Sequence, residues 1–193
     1  MTKYYVLFGP PGAGKGTQAT AMVEAYNLHH ISTGDLLRKE IASGTALGLK
    51  AKELIENGSL VPDEVVEGMI ESEFRTVKGV DGFLLDGFPR TLAQAEALDK
   101  LLAKTGESVT ATISIMIPDE MIMERIKGRA LKEGRADDAS EEVINHRIST
   151  YHNQTEPLIK FYQKAGKYHE VDGRGNIDQV RESIFSIMDT FNK

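Results

Sequence analysis

The residues whose types and spacing point to chemistry begin at Gly9. There the run Gly-Pro-Pro-Gly-Ala-Gly-Lys-Gly-Thr follows a short apolar stretch and precedes a helical pattern. Glycines let a chain turn so that successive backbone N–H groups face inward, and a helix begun at that point adds its positive end. Such a cradle binds phosphate oxygens, and Lys15 adds a movable cation for the outer phosphates. The run fits the pattern G-x-x-x-x-G-K through Gly9, Gly14 and Lys15, with Gly16 where the strict form has Ser or Thr and with Thr17 one place later. Gly12, Ala13, Gly14, Lys15, Gly16 and Thr17 are therefore the expected phosphate contacts. A plain Gly-rich turn would leave Lys15 in solvent, but the strand–turn–helix context that the motif demands is present.

A second block, Phe83-Leu84-Leu85-Asp86-Gly87-Phe88-Pro89-Arg90, sets a carboxylate behind three apolar residues. That places Asp86 at the carboxyl end of a buried strand, the edge at which open α/β sheets bind ligands. Asp86 there suits Mg²⁺ through water, since that ion keeps several waters; no direct protein ligand is expected. Arg90 supplies a planar fork for phosphate. Gln94 carries both a donor and an acceptor, which fit either a base edge or a capping box with Thr91. Thr33 and Arg38 offer a hydroxyl and another fork, yet the same residues fit a helix start with Thr33 as cap and Arg38 in solvent. Arg125 and Arg129 lie four apart on one expected helix face. Like charges so spaced cost an isolated helix about 0.2–0.5 kcal/mol, which a bound polyphosphate would reverse. Arg135, Asp137, Asp138 and Arg147 follow. His29, His30, His146, His152 and His169 sit in no nucleophile or metal arrangement and are expected to be structural or solvated.

The elements that must position these groups read as an α/β alternation. Apolar runs at 4–8, 28–32, 82–86, 110–117 and 168–172 are expected strands, several of them nearly continuous, as in strands covered on both faces. Helical patterns cover 15–26, 34–43, 47–56, 62–77, 92–104, 119–127, 141–164 and 177–191. Pro62 with Asp63 and Glu64 suits a first helical turn, Thr91 with Gln94 has capping-box spacing, and Ser140 precedes two glutamates. The polar, Gly-containing stretch 127–139 reads as a loop. Strands alternating with helices give a parallel sheet wrapped by helices.

Composition limits the partners. The chain has 193 residues, enough for a single core over 1–193, and a net charge of −6 without a basic stripe, which argues against nucleic acid. Any anionic ligand must then be held by a few cations gathered in one cleft. No apolar run approaches the ~20 residues that span a bilayer, so no membrane is expected. Cys is absent, which excludes disulfides and Cys-based zinc sites. The start, Met1-Thr2-Lys3-Tyr4-Tyr5, does not read as a secretory signal, and the expected location is cytoplasmic.

The GKGT form of the loop resembles adenylate kinases and related nucleoside monophosphate kinases, and the resemblance runs through the later blocks over nearly the whole chain. It implies the P-loop three-layer fold with a five-stranded parallel sheet and the reaction ATP + AMP ⇌ 2 ADP with Mg²⁺, in a monomer whose partners are ATP, AMP and ADP. It also implies a monophosphate-binding insertion at 32–61, whose helical hairpin continues to about 77, and a short lid at 128–138. By resemblance Thr33 faces the AMP base, Arg38 holds its phosphate, and Ser59, Leu60 and Val61 give backbone contacts. Gly87, Phe88, Pro89, Arg90 and Gln94 match the family's AMP motif. Arg125 lies over the ATP base, Arg129 reaches its phosphates, and the turn at Gly175 receives the base. Lys15, Arg90, Arg129, Arg135 and Arg147 are the implied catalytic set, with Arg135 and Arg147 meeting at the transferred phosphoryl and also facing AMP. Uridylate/cytidylate kinases are similar but usually carry Ala at the place of Thr33, so Thr33 favours AMP.

Overall fold

Alternation along the first strand decides the layering of the computed structural model, which describes residues 1–56, 61–134 and 140–193. β1 (Lys3–Phe8) sends Tyr5 and Leu7 into one core and Tyr4, Val6 and Phe8 into the other, as a two-residue period requires. It lies at the centre of a five-stranded sheet in the order β2-β3-β1-β4-β5, formed by β2 (Leu28–Ser32), β3 (Gly82–Asp86), β4 (Ala111–Met116) and β5 (Tyr168–Asp172). Every pairing is parallel. Strands buried on both faces need helices on both, and the helices divide accordingly.

On one face pack α1 (Lys15–Tyr26), α6 (Asp119–Lys132) and α8 (Ile177–Asp189), through Met22, Ile122, Ile184 and Met188. The other face takes α2 (Thr33–Ser43), α3 (Ala46–Glu56), α4 (Asp63–Thr76) and α5 (Leu92–Ala103), through Leu36, Ala51, Met69 and Leu98. α7 (Glu141–Lys164) joins both cores, with Ile144 and Ile148 in the first and Leu158 and Tyr162 in the second. Its middle turns therefore run between the two layers.

Most element ends fall within two residues of the expected ones. Pro62 sits just outside α4 as its N-cap, and Ser140 caps α7 without a side-chain hydrogen bond. The clear correction is at α6. The stretch expected as loop from 127 is helical to Lys132, so residues 128–132 of the anticipated lid continue α6. Ile122, Ile126 and Ala130 recur every fourth residue and are all buried, so the apolar stripe carries the helix past Gly128. Arg129 and Glu133 add an i,i+4 pair at its end. Ser59, Leu60, Arg135, Asp137 and Asp138 lie outside the described residues.

Candidate active site

The Gly-rich run forms the connection between β1 and α1. Gly12 and Gly14 hold φ of 82° and 78°, which side-chain-bearing residues rarely adopt, and the Ala13 N–H bonds the Pro10 carbonyl at 3.1 Å. A Cβ on Gly12 would lie 3.0 Å from that of Arg125, so α6 packs directly on the loop. Arg125 Nη1 donates to the Gly12 carbonyl at 2.9 Å, tying the two together.

Lys15 opens α1, and its Nζ lies 2.7 Å from Oδ1 of Asp86. The parallel register sets Asp86 opposite Leu7 of β1 and Ser32 of β2, at the carboxyl ends of three strands. His30, expected to be structural or solvated, reaches the second Asp86 oxygen with Nε2 at 3.2 Å. Burial pushes the Asp86 carboxyl up, but the hydrogen bond from His30 and the charge and hydrogen bond of Lys15 outweigh it. The group titrates below its ordinary value. No local pattern in β2 marks His30, because the pairing of β2 with β3 creates the contact.

A cleft of about 850 Å³ opens over the loop. Lys15, Arg90, Arg125, Arg129 and Arg147 all line it, and no carboxylate stands among the described lining residues. Five cations thus meet in one cleft of a chain whose net charge is −6. Between its two core-packed ends α7 adds His146, Thr150, Tyr151, Gln154 and Thr155 to the wall, none of them expected. Positions 147, 150, 151, 154 and 155 share one face of a 3.6-residue helix, so helical spacing from Arg147 could have found four of them. Burial raises the Tyr151 hydroxyl to about 12.

A second cavity of about 550 Å³ adjoins the first and is lined by Gly14, Thr17, Gln18, Arg125, Gly175 and Asn176, among others. Arg125 and Thr17 line both and so mark the boundary between them. Gln18 is 3 % exposed and donates through Nε2 to the Ile177 carbonyl at 3.0 Å, fixing α8 against α1. Asn176 and Gln179 form a reciprocal capping box that holds the turn at Gly175.

On the other side of the large cleft, Gly87 links several of the expected residues. Its carbonyl accepts from Arg90 Nε at 2.8 Å and from Thr33 Oγ1 at 3.4 Å. Thr33 lies inside α2, which Ser32 caps. Gln94 receives the Arg90 N–H on Oε1 at 2.7 Å and donates from Nε2 to Asp63 Oδ1 at 2.7 Å. Arg38 stands apart: it is exposed and paired with Asp35 three residues before it. Phe88 is 2 % exposed and packs in the second core, so its side chain is structural. Val61 packs against the same core.

The sequence model of the adenylate kinase family matches residues 7–167. The adenylate kinases of Xanthomonas euvesicatoria pv. vesicatoria (strain 85-10) and Xanthomonas axonopodis pv. citri (strain 306) are 49% identical to this chain over 179 residues. That of Xylella fastidiosa (strain 9a5c) matches to the same extent. Each alignment covers 93% of this chain and 95% of the relative.

The chain belongs to the adenylate kinase family.

The five-stranded parallel sheet with helices on both faces is the architecture expected of the family's P-loop fold. Family membership makes the chain a nucleotide-binding kinase. Among the described residues no group of three or more His, Asp or Glu side chains converges on a metal position. No described helix is long and apolar enough to cross a membrane.

Proposed function

We propose that the large cleft holds ATP and AMP end to end, with the migrating phosphoryl group surrounded by Lys15, Arg90, Arg129, Arg135 and Arg147. As an adenylate kinase the chain carries out ATP + AMP ⇌ 2 ADP; the proposal assigns that reaction to residues. The AMP phosphate oxygen attacks the γ-phosphorus in line, the bond from that phosphorus to the β–γ bridging oxygen breaks, and ADP leaves on each side. The attacking group is already an anion, so no general base is needed. Catalysis then rests on alignment and on charge stabilisation, both of which fixed cations supply.

The observation that carries this reading is the convergence of five cationic side chains on one cleft beside the Gly loop. ATP phosphates lie along Gly12, Ala13, Gly14, Gly16 and Thr17, its base in the second cavity between Arg125 and Gly175. AMP lies beyond Gly87 and Pro89, its phosphate met by Arg90 and by Arg38 released from Asp35. Its base faces Thr33 and Gln94, with Ser59, Leu60, Val61 and the Phe88 backbone beside it. The insertion 32–61, continued to about 77, forms the AMP side, and 128–138 covers the phosphates. The protein acts as a cytoplasmic monomer.

Mg²⁺ accompanies ATP, as is general for adenylate kinases, and the donor chemistry here fits it. Asp86 is one ionised carboxylate at the strand ends beside the phosphate loop, which suffices for an ion that keeps its waters and takes its remaining oxygens from phosphates. When bound, the ion neutralises charge on the ATP phosphates. Lys15 meanwhile exchanges its Asp86 partner for a phosphate oxygen.

Following ADP formation with each monophosphate tests the assignment. AMP is the preferred acceptor over CMP, UMP and GMP, and a preference for CMP or UMP overturns the base assignment. Lys15→Met and Arg90→Ala each lower kcat by at least about a hundredfold while the circular dichroism spectrum stays unchanged. Near-normal turnover in either folded variant removes that residue from the mechanism.

A further inference from the structure

Gln94 is held at both ends of its amide by partners whose roles cannot be exchanged. The Arg90 backbone N–H, 2.7 Å from Oε1, can only donate. The Asp63 carboxylate, 2.7 Å from Nε2, accepts. Turning the amide over would bring its oxygen against a carboxylate oxygen and its NH₂ against an N–H. Either contact costs a hydrogen bond and adds repulsion. The orientation of the amide is therefore set jointly by the Arg90 N–H and by Asp63 at the start of α4, thirty-one residues away in sequence.

Each end of the amide keeps capacity for one further bond. Oε1 has a second lone pair and Nε2 a second hydrogen. The free pair is an acceptor beside a donor in a fixed order. A 6-aminopurine edge offers the complementary order, with its amino N–H for Oε1 and its N1 for Nε2. A 6-oxopurine edge offers the inverse, with O6 as acceptor and N1–H as donor, and would need the amide turned over.

We propose that Asp63 is a specificity-determining residue: by locking the Gln94 amide it makes the monophosphate site select 6-aminopurine over 6-oxopurine nucleotides. The proposal rests on the reading of Gln94 as the residue that faces the AMP base. Asp63 touches no substrate in this scheme; it acts as a positioning residue through Gln94. Nothing in the sequence around Asp63 distinguishes this from its expected place as an acidic residue in a first helical turn. A residue with only that helical role would affect all acceptors alike.

The test compares kcat/KM for AMP and for IMP as acceptors at saturating ATP, in the wild type, Asp63→Asn and Gln94→Ala. Asn at 63 both donates and accepts, so it no longer repels a turned-over amide, and of the two contacts that fix the orientation only the Arg90 N–H remains. The AMP-to-IMP ratio falls at least about tenfold in Asp63→Asn, while KM for ATP is unchanged. Asp63→Ser, well suited to a helix start, gives the same reading if the Asn variant does not fold. Loss of activity toward AMP and IMP in equal proportion overturns the role of Asp63. If Gln94→Ala destroys the ratio and the folded Asp63 variants preserve it, Gln94 reads the base but Asp63 does not orient it. If Gln94→Ala itself leaves the ratio intact, the reading of Gln94 fails and the proposal falls with it.

Discussion

Asp86 serves two neighbours at once, with Lys15 at 2.7 Å on one oxygen and His30 at 3.2 Å on the other. Its carboxyl is held below the ordinary value against the opposing effect of burial. A carboxyl with a lowered pKa in the folded protein stabilises the fold above its unfolded pKa of about 3.9, and loses that contribution as pH falls through the lowered value. His30→Ala removes one of the opposing bonds, so the onset of acid unfolding moves to higher pH, as followed by circular dichroism across an acid titration. Asp172 shows the same sign at an exposed position. The Arg174 guanidinium and backbone N–H hold its carboxyl at about 2. Arg174→Gln returns it toward about 3.9 in a carboxyl-detected NMR titration; a midpoint that stays near 2 assigns the shift to something other than the Arg174 guanidinium. Lys15, Asp86 and Arg90 were legible as residues because each stands in a short run with its own chemical logic. His30 and Asp63 were not, because neither touches its partner through a neighbour in sequence.

At the scale of elements, α2 and α3 form a tight pair. A Cβ added to Gly48 would lie 2.0 Å from the Glu40 carbonyl oxygen, a backbone atom that cannot swing aside. Gly48→Ala must therefore force the two helices apart, at a cost of about 1–3 kcal/mol by analogy with overpacked cores. Calorimetry then shows the melting temperature lowered by several degrees. Since α2 carries Thr33 and Arg38, KM for AMP rises while KM for ATP changes little. Equal changes in both would detach this pair of helices from the AMP site. Element types and most of their ends followed from apolar patterning and helix-start signals. The end of α6 did not, because Gly128 and the charged residues around it read as loop. The buried positions Ile122, Ile126 and Ala130 continue the helix through them.

Over the whole molecule, the start of α1, the connection after β3, α6 and α7 bring their cations to one space that adjoins a second cavity. If two nucleotides lie end to end there, a mimic joining two adenosines through five phosphates should bind tightly. At a hundred times its Kd it should stabilise the fold by about 2.7 kcal/mol, raising the melting temperature by roughly 5–10 °C. The effect shrinks as salt screens the exposed arginines. No shift at saturating concentration removes the end-to-end arrangement. The sequence by itself determined the Gly-rich loop with Lys15, the strand–helix alternation and the Asp86–Arg90 block, because each depends on residues within a few positions of one another. Only the tertiary structure decided that Arg125 clasps Gly12, that His30 meets Asp86, that one face of α7 lines the cleft and that Asp63 holds Gln94. Those contacts join residues 31 to 113 apart in sequence, or depend on which helix face meets the cleft. Strand register and helix packing set them, and no local periodicity records either.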